Sequence, residues 1–149
     1  MRTLLMLIRI FTYIKNEQEL LPRWLNHHLT IIPGYLIHVV DNGSTDSTLD
    51  ILQQYKDSHG INIHHHYNYN YKGDETSAHI LKYKTQPGIA IPLDGDEFLA
   101  IFKDNQVNVN GSDIKDYIES LPLDRGHYST LGCLNSIPEK ENYTDPVRD

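Results

Sequence analysis

The chain has little cysteine and no excess of positive charge. Its 149 residues contain a single cysteine, Cys133, so no disulfide can form within the chain. A chain without disulfides fits a reducing compartment, and we expect a cytoplasmic protein. The formal net charge is -7 at pH 7. Because a protein that grips a nucleic-acid backbone needs a basic face to neutralise phosphates, this charge argues against a nucleic-acid partner.

Long hydrophobic runs, internal repeats and linker-like stretches are also missing. The first apolar run, Leu4–Ile8, is far shorter than the roughly 20 residues that cross a bilayer as a helix. We therefore predict no transmembrane segment. A length of 149 residues fits one globular domain. We place this domain at residues 1–134 and a polar tail at residues 135–149.

Apolar residues recur in two patterns along the chain, one typical of strands and the other typical of helices. Strands are predicted at Leu4–Tyr13, Leu36–Val40, Ile61–Tyr67 and Ile89–Leu93, with further extended chain at Phe98–Phe102 and Gly126–Leu134. Helices are predicted at Glu17–Leu29, after Ser44 or Thr45 as N-cap, at Thr76–Lys84, and at Ile114–Leu121 after Ser112 or Asp113 as N-cap. Strands that alternate with helices indicate an α/β fold with a mostly parallel sheet.

Two of the predicted strands stop at acidic residues. Asp41 follows Leu36–Val40, whereas Asp94 and Asp96 follow the later strand and are separated by Gly95. Side chains at i and i+2 of an extended chain point to the same side, so the last two carboxylates can converge on one hard cation. A solvated turn is the alternative interpretation of these residues. Because ligands bind at the carboxyl edge of a parallel sheet, we expect both acidic ends at one ligand site.

Four short motifs follow one another in the chain. They are Lys15-Asn16-Glu17, the stretch Leu20–His28 with Pro22, Trp24 and Leu25, the stretch Asp41-Asn42-Gly43-Ser44-Thr45-Asp46 continued to Thr48, and Leu93-Asp94-Gly95-Asp96-Glu97-Phe98-Leu99. Together they resemble the family 2-like glycosyltransferases, over residues 7–102 and more weakly to about residue 134. The resemblance implies the A-type glycosyltransferase fold, a Rossmann-like α/β/α sandwich. Such a fold binds a nucleotide-diphosphate sugar at the carboxyl ends of its strands.

The resemblance also implies roles for the residues that match the motifs. Asp41 matches the acidic residue that contacts the uracil or ribose of the donor, and Asp94 and Asp96 match the pair that holds Mn²⁺ or Mg²⁺ against the diphosphate. The loop Tyr13–Glu17 matches the segment that lines the nucleobase pocket. The predicted nucleotide-binding residues are therefore Tyr13, Asn16, Glu17 and Asp41, together with Lys72, whose ammonium can reach a phosphate. A flexible polar loop at Lys72, and a role for Glu17 in favouring the start of the first helix, stay open as alternatives.

The function implied is metal-dependent transfer of a sugar from a nucleotide-diphosphate donor, with a uridine-linked donor and inversion favoured. The sequence does not identify the acceptor, which can be a glycan, a lipid or a protein. Inverting members use a carboxylate downstream of the metal motif as general base, but no motif assigns this role to Glu139, Glu141 or Asp145. A shortened member, or a non-catalytic nucleotide-sugar-binding domain, is therefore the alternative. A phosphatase of the haloacid dehalogenase type, which also places Asp-x-Asp after a strand, is a third hypothesis.

Several residues near the motifs have structural interpretations. His28 lies one turn after Trp24 on an apolar helix face, which favours a hydrogen-bonded core histidine over a ligand. The run His64-His65-His66 is expected on an exposed strand, because only two of three neighbouring strand side chains can share a metal ion. Glu97 is expected to orient the metal-binding turn rather than to act as a base.

Overall fold

The computed structural model describes residues 7–67 and 72–122. The strands are β1 (Leu7–Ile14), β2 (Ile37–Asp41), β3 (Asn62–His65), β4 (Gly88–Leu93), β5 (Ile101–Lys103) and β6 (Gln106–Asn108). The helices are α1 (Leu21–Leu29), α2 (Thr48–His59), α3 (Lys72–Leu81) and α4 (Gly111–Glu119), with a 3-10 turn at Gly34–Leu36. The predicted strand Gly126–Leu134, the domain boundary at residue 134 and the tail lie outside the described residues.

The first four strands form one parallel sheet in the order β3-β2-β1-β4. A helix follows each of the first three strands, which confirms the α/β architecture expected from the alternating patterns. The register sets Ile14 of β1 beside Asp41 of β2, and Thr12 of β1 beside Leu93 of β4. The short strands β5 and β6 form a separate antiparallel hairpin. All carboxyl ends of the parallel strands therefore meet at one edge.

One face of this sheet carries the apolar core. Alternate residues of β1, including Ile8 and Ile10, join a buried cluster with Ile37 of β2 and with Trp24 and Leu25 of α1. The cluster also takes in Leu52 of α2 and Ile114 and Ile118 of α4. Because α1 and α4 both pack here, the apolar face fixes how α1 lies against the sheet.

The opposite face carries a layer of aromatic and histidine rings. Phe11 of β1 stacks on His38 of β2 with ring centroids 4.7 Å apart, and His38 stacks on His64 of β3 at 5.6 Å. His79 of α3 packs on His64 at 4.1 Å, and Tyr83 covers His38 at 5.2 Å. The expectation of an exposed strand at 64–66 is therefore wrong for His64, because α3 covers it.

The predicted starts of the first two helices are wrong. Helix α1 begins at Leu21 rather than Glu17, and Pro22 occupies its first turn, where its missing N–H costs nothing. Helix α2 begins at Thr48, since Ser44 and Thr45 are used in contacts with another loop. The N-cap position of α2 is Ser47 rather than Ser44 or Thr45, and its side chain makes no capping hydrogen bond. The Thr48 N–H is instead satisfied by Oδ1 of Asp46, at 3.0 Å.

The later elements also shift. Helix α3 spans Lys72–Leu81 rather than residues 76–84, and the extended chain predicted at 98–102 forms a strand only at 101–103. Helix α4 is capped by Asn110, whose Oδ1 accepts the Asp113 N–H at 3.1 Å, and not by Ser112 or Asp113. Among the described helices, none is long and apolar enough to cross a bilayer.

Candidate functional site

The two acidic strand ends predicted from the sequence lie at the same edge of the sheet. Asp41 is the last residue of β2, and Asp94 directly follows β4. Strand β1 lies between β2 and β4. The two acidic ends are therefore separated by two strand spacings, or about 10 Å. This distance suits opposite ends of one extended ligand.

The turn Asp94-Gly95-Asp96 presents two exposed carboxylates on a fixed backbone. The Glu97 carboxylate accepts the Asp94 N–H at 2.8 Å, and the Glu97 N–H donates to the Asp94 carbonyl at 3.1 Å. Glu97 therefore orients the turn, as the sequence indicated. A Cβ on Gly95 would lie 2.9 Å from Ile14 Cγ2, so a side chain at this position would push the turn away from β1.

The donor atoms of this turn fit a hard divalent cation that takes part of its coordination from a ligand. The two exposed carboxylates supply oxygen atoms only, which favours Mg²⁺ or Mn²⁺ over zinc. Within residues 7–67 and 72–122, no cluster of three or more histidine, cysteine or acidic side chains is arranged to hold a metal. Mg²⁺ is commonly bound by one or two carboxylates together with substrate phosphates and water. Asp94 and Asp96 match that arrangement.

Glu17 adds negative charge beside this turn. Burial raises the pKa of the Glu17 carboxyl, and the neighbouring charges of Asp96 and Asp46 raise it further. A Cβ on Gly95 would lie 3.7 Å from Glu17 Cγ, which sets Glu17 against the turn. A cation at Asp96 would relieve this repulsion.

The loop that follows β1 is joined to the loop that follows β2. Asn16 has a left-handed backbone with φ of 56°, a conformation that asparagine tolerates better than most residues. Its N–H donates to Ser44 Oγ at 2.9 Å, and its Oδ1 accepts the Thr45 N–H at 2.8 Å. Asn16 therefore has a structural role that its predicted nucleotide contact does not explain.

Three further hydrogen bonds connect the same two loops. The Glu17 N–H donates to Thr48 Oγ1 at 2.8 Å, and Thr48 is fully buried. The Gln18 N–H donates to Asp46 at 3.2 Å, while Gln18 Oε1 accepts the Ser47 N–H at 3.0 Å. Two of the motifs found in the sequence thus form one hydrogen-bonded unit.

Asp41 is buried at the base of this unit, with its side chain 1% exposed. Its carboxylate accepts the Gly43 N–H at 3.0 Å and the Ser44 N–H at 3.3 Å. The His65 Nδ1 lies 3.9 Å away. The side chain therefore shapes residues 42–44 before it can contact a ligand. An ionised carboxylate has about four acceptor positions, so these bonds leave acceptor capacity.

Tyr13 is held from the side of α3. Its hydroxyl lies 2.9 Å from His66 Nδ1, and His66 Nε2 lies 3.3 Å from a carboxylate oxygen of Glu75. Tyr13 is 4% exposed, so its ring is buried beneath the carboxyl edge of the sheet. Sequence reasoning missed His66 and Glu75 as partners of Tyr13, because no local pattern shows which residues α3 brings to β1.

Lys72, the remaining predicted nucleotide-binding residue, begins α3, but its side chain lies outside the described part of the structure. Tyr67 is 79% exposed, and its ring lies beside Gly43, where a Cβ would approach it to 3.0 Å. The downstream carboxylates Glu139, Glu141 and Asp145 also lie outside the described residues.

Solved structures with a similar fold exist. The crystal structure of S. aureus TarS 1-349 matches with a TM-score of 0.53 and 20% identity, over 75% of this chain and 31% of that chain. The crystal structure of S. aureus TarS 1-349 in complex with UDP matches with the same values. This chain therefore spans about a third of the length of TarS 1-349. No curated protein matches the sequence.

The model of the family described as glycosyl transferase family 2 matches residues 10–100. This range contains all four motifs and both acidic strand ends. It covers most of the parallel sheet and ends just after the acidic turn that follows β4. With its α/β fold of the A type, the chain belongs to glycosyl transferase family 2.

Proposed function

We propose that this chain binds a uridine-linked nucleotide-diphosphate sugar with Mn²⁺ or Mg²⁺ and transfers the sugar to an acceptor with inversion. The observation that carries the proposal is the placement of Asp41 and of the exposed Asp94 and Asp96 on either side of β1 at one edge. The similar TarS 1-349, crystallised in complex with UDP, supports the choice of nucleotide. The net charge of -7 is compatible with an anionic donor if a cation accompanies it.

The acidic turn would hold the diphosphate end of the donor. Asp94 and Asp96 would hold a divalent ion there, and that ion would supply Lewis-acid neutralisation of the charge that grows on the departing nucleoside diphosphate, a contribution of several kcal/mol. Glu97 keeps the backbone of the turn in place through the Asp94 N–H. The close contact of Gly95 with Ile14 keeps the turn low against β1, which leaves room for the phosphates.

The hydrogen-bonded loops that follow β1 and β2 would hold the nucleoside end of the donor. Asp41 fixes the backbone of residues 42–44, and Asn16 fixes that loop from the other side. An ionised carboxylate accepts hydrogen bonds only, so Asp41 suits the imide N–H of uracil or the ribose hydroxyls. Tyr13, Glu17 and Lys72 stay predicted contacts of the same pocket.

A donor-binding domain without transfer activity is the second candidate. Its basis is that no motif assigns the role of general base to Glu139, Glu141 or Asp145, the carboxylates downstream of the acidic turn. Binding of the donor without turnover on glycan, lipid and protein acceptors would favour this candidate. Release of UDP that depends on an acceptor would favour the transferase.

Calorimetry with UDP in Mn²⁺ and in EDTA tests the proposal on the full chain. We expect the affinity for UDP to depend on Mn²⁺, and Asp96→Asn to weaken it by at least about tenfold, since each tenfold corresponds to about 1.4 kcal/mol. Asp116→Asn, which neutralises an exposed aspartate on α4, is the matched control and should bind as the wild type does. Equal affinity in Mn²⁺ and EDTA would contradict the proposal.

A further inference from the structure

Helix α1 reaches the segment that follows the acidic turn with three side chains. Trp24 Nε1 donates to the Glu97 carbonyl at 2.8 Å, and His27 Nε2 lies 2.8 Å from the Leu99 carbonyl. His28 Nε2 accepts the Leu99 N–H at 3.4 Å. These three side chains come from two successive turns of one helix. They hold the backbone at both ends of residues 97–99.

The protonation of the two histidines follows from their partners. His28 Nδ1 lies 2.9 Å from the Trp24 carbonyl, and a carbonyl only accepts, so Nδ1 carries the proton and Nε2 is free to accept from Leu99. Burial, with the charge of His27 as a smaller cause, lowers the pKa of His28 to about 3. His28 is therefore neutral at physiological pH, as its acceptor role requires. His27 Nε2 must be a donor for the same reason.

The side chain of Phe98 is held together with this backbone. Its ring lies 5.5 Å from the His27 ring and stacks at 6.1 Å on the His28 ring. Trp24 beneath is fully buried and packs on His28 at 4.1 Å. The contact between α1 and residues 97–99 is therefore both polar and aromatic, and it is anchored in the core.

We propose that Trp24, His27 and His28 are positioning residues that fix the geometry of the cation-binding turn from beneath. This inference rests on the proposed function. Residues 94–100 form no helix or strand, so no ladder supplies partners for their backbone. Glu97 connects α1 to the acidic turn, because its carbonyl accepts the Trp24 indole N–H while its side chain accepts the Asp94 N–H. The buried indole is therefore linked to the proposed metal ligand Asp94 by the single residue Glu97.

The consequence concerns metal affinity more than folding. Groups that orient metal ligands from the next layer typically change metal affinity about 10- to 100-fold when they are removed. Trp24→Phe keeps an aromatic ring in the core and deletes the N–H that binds Glu97. His27→Leu deletes the donor to Leu99, whereas His27→Gln keeps an amide N–H of similar reach. The last variant is therefore the conservative rescue.

The test measures UDP affinity in Mn²⁺ for each variant of the full chain, together with its melting temperature without ligand. We expect Trp24→Phe and His27→Leu to weaken Mn²⁺-dependent binding by about tenfold and His27→Gln to bind nearly as the wild type does. Tyr55→Phe is the matched control. It deletes a hydroxyl bonded to Asn26 of α1 at 2.8 Å but leaves residues 97–99 untouched.

The outcomes separate the two proposals. If the wild type shows no Mn²⁺-dependent binding of UDP, the proposed function fails and the positioning role fails with it. If the wild type binds but Trp24→Phe and His27→Leu bind equally well, only the positioning role is overturned. An equal loss of affinity in Tyr55→Phe would also overturn it, because general loosening of α1 would then explain the effect. Should Trp24→Phe fail to fold, the His27 pair decides the matter.

Discussion

Acidification is expected to destabilise this protein through three histidines that the fold holds neutral. Burial lowers the pKa of His28 to about 3 and that of His38 and His64 to about 4. His38 also faces the charges of Arg9 and Lys82, and the rings of His64 and His79. In the unfolded chain each of these histidines takes up a proton near pH 6.5. The stability they contribute is therefore complete above pH 6.5 and is lost as the pH falls towards 4 and then 3.

The size of the effect at pH 5 follows from linkage. A histidine that stays neutral in the folded state loses about 1.4 kcal/mol of stability for each pH unit below 6.5, or about 2 kcal/mol at pH 5. We apply this value to His28, which is fully buried. His64 is half-buried, and His38, although buried, stacks on it, so we assign about 1 kcal/mol to each. The expected total, about 4 kcal/mol, is a large share of the 5–15 kcal/mol typical of a domain.

Urea unfolding at pH 7.5 and pH 5.0, followed by circular dichroism, measures this difference. His38→Phe keeps the stack on Phe11 but cannot titrate, and we expect it to lose about 1 kcal/mol less than the wild type between the two pH values. His59→Gln, at an exposed histidine that ends α2, is the control and should follow the wild type. An unfolding free energy that does not change with pH, or a His38→Phe slope equal to that of the wild type, would refute the reasoning.

Two further substitutions test the site. Gly95→Ala should weaken Mn²⁺-dependent UDP binding in calorimetry, because the added Cβ would lie 2.9 Å from Ile14 Cγ2 and must displace the acidic turn; unchanged affinity would show that the turn tolerates the shift. Asn16→Ala should lower the free energy of unfolding by about 2 kcal/mol, since it removes the acceptor of the Thr45 N–H and places a less suited residue at positive φ. Asn16→Gly, which relieves the backbone but not the lost bond, should recover part of this loss in urea unfolding.

The sheet and its acidic edge could be predicted because both depend on local patterns. The apolar runs before Asp41 and Asp94 are short, contain β-branched residues and alternate with helical segments, which indicates parallel strands whose carboxyl ends lie at one edge. In the structure the two acidic ends lie at that edge, on either side of β1. The role of Glu97 followed from its alternation away from Asp94 and Asp96, and its hydrogen bond to the Asp94 N–H agrees with it.

The errors arose where a distant part of the chain decides. His64 has the sequence context of an exposed strand, but His79 of α3 packs on its ring and covers it in part. Ser44 resembles an N-cap, but its hydroxyl oxygen instead accepts a hydrogen bond from the N–H of Asn16, which lies 28 positions earlier in the chain. The helical spacing predicts that Trp24 lies on an apolar helix face, but it does not predict the hydrogen bond to the carbonyl of Glu97, which lies 73 positions further along the chain. A single sequence contains no signal for such pairs.

The hydrogen bonds between the loops after β1 and β2 make these two segments interdependent. Asn16 and Glu17 in one segment have partners at Ser44, Thr45 and Thr48 in the other, and every bond joins residues 28 to 31 positions apart. A transplant of either segment alone into another scaffold would leave backbone N–H groups without acceptors. Engineering of the proposed nucleoside-binding loops should therefore exchange both segments as a matched pair, and libraries that vary one of them should keep the facing positions of the other constant.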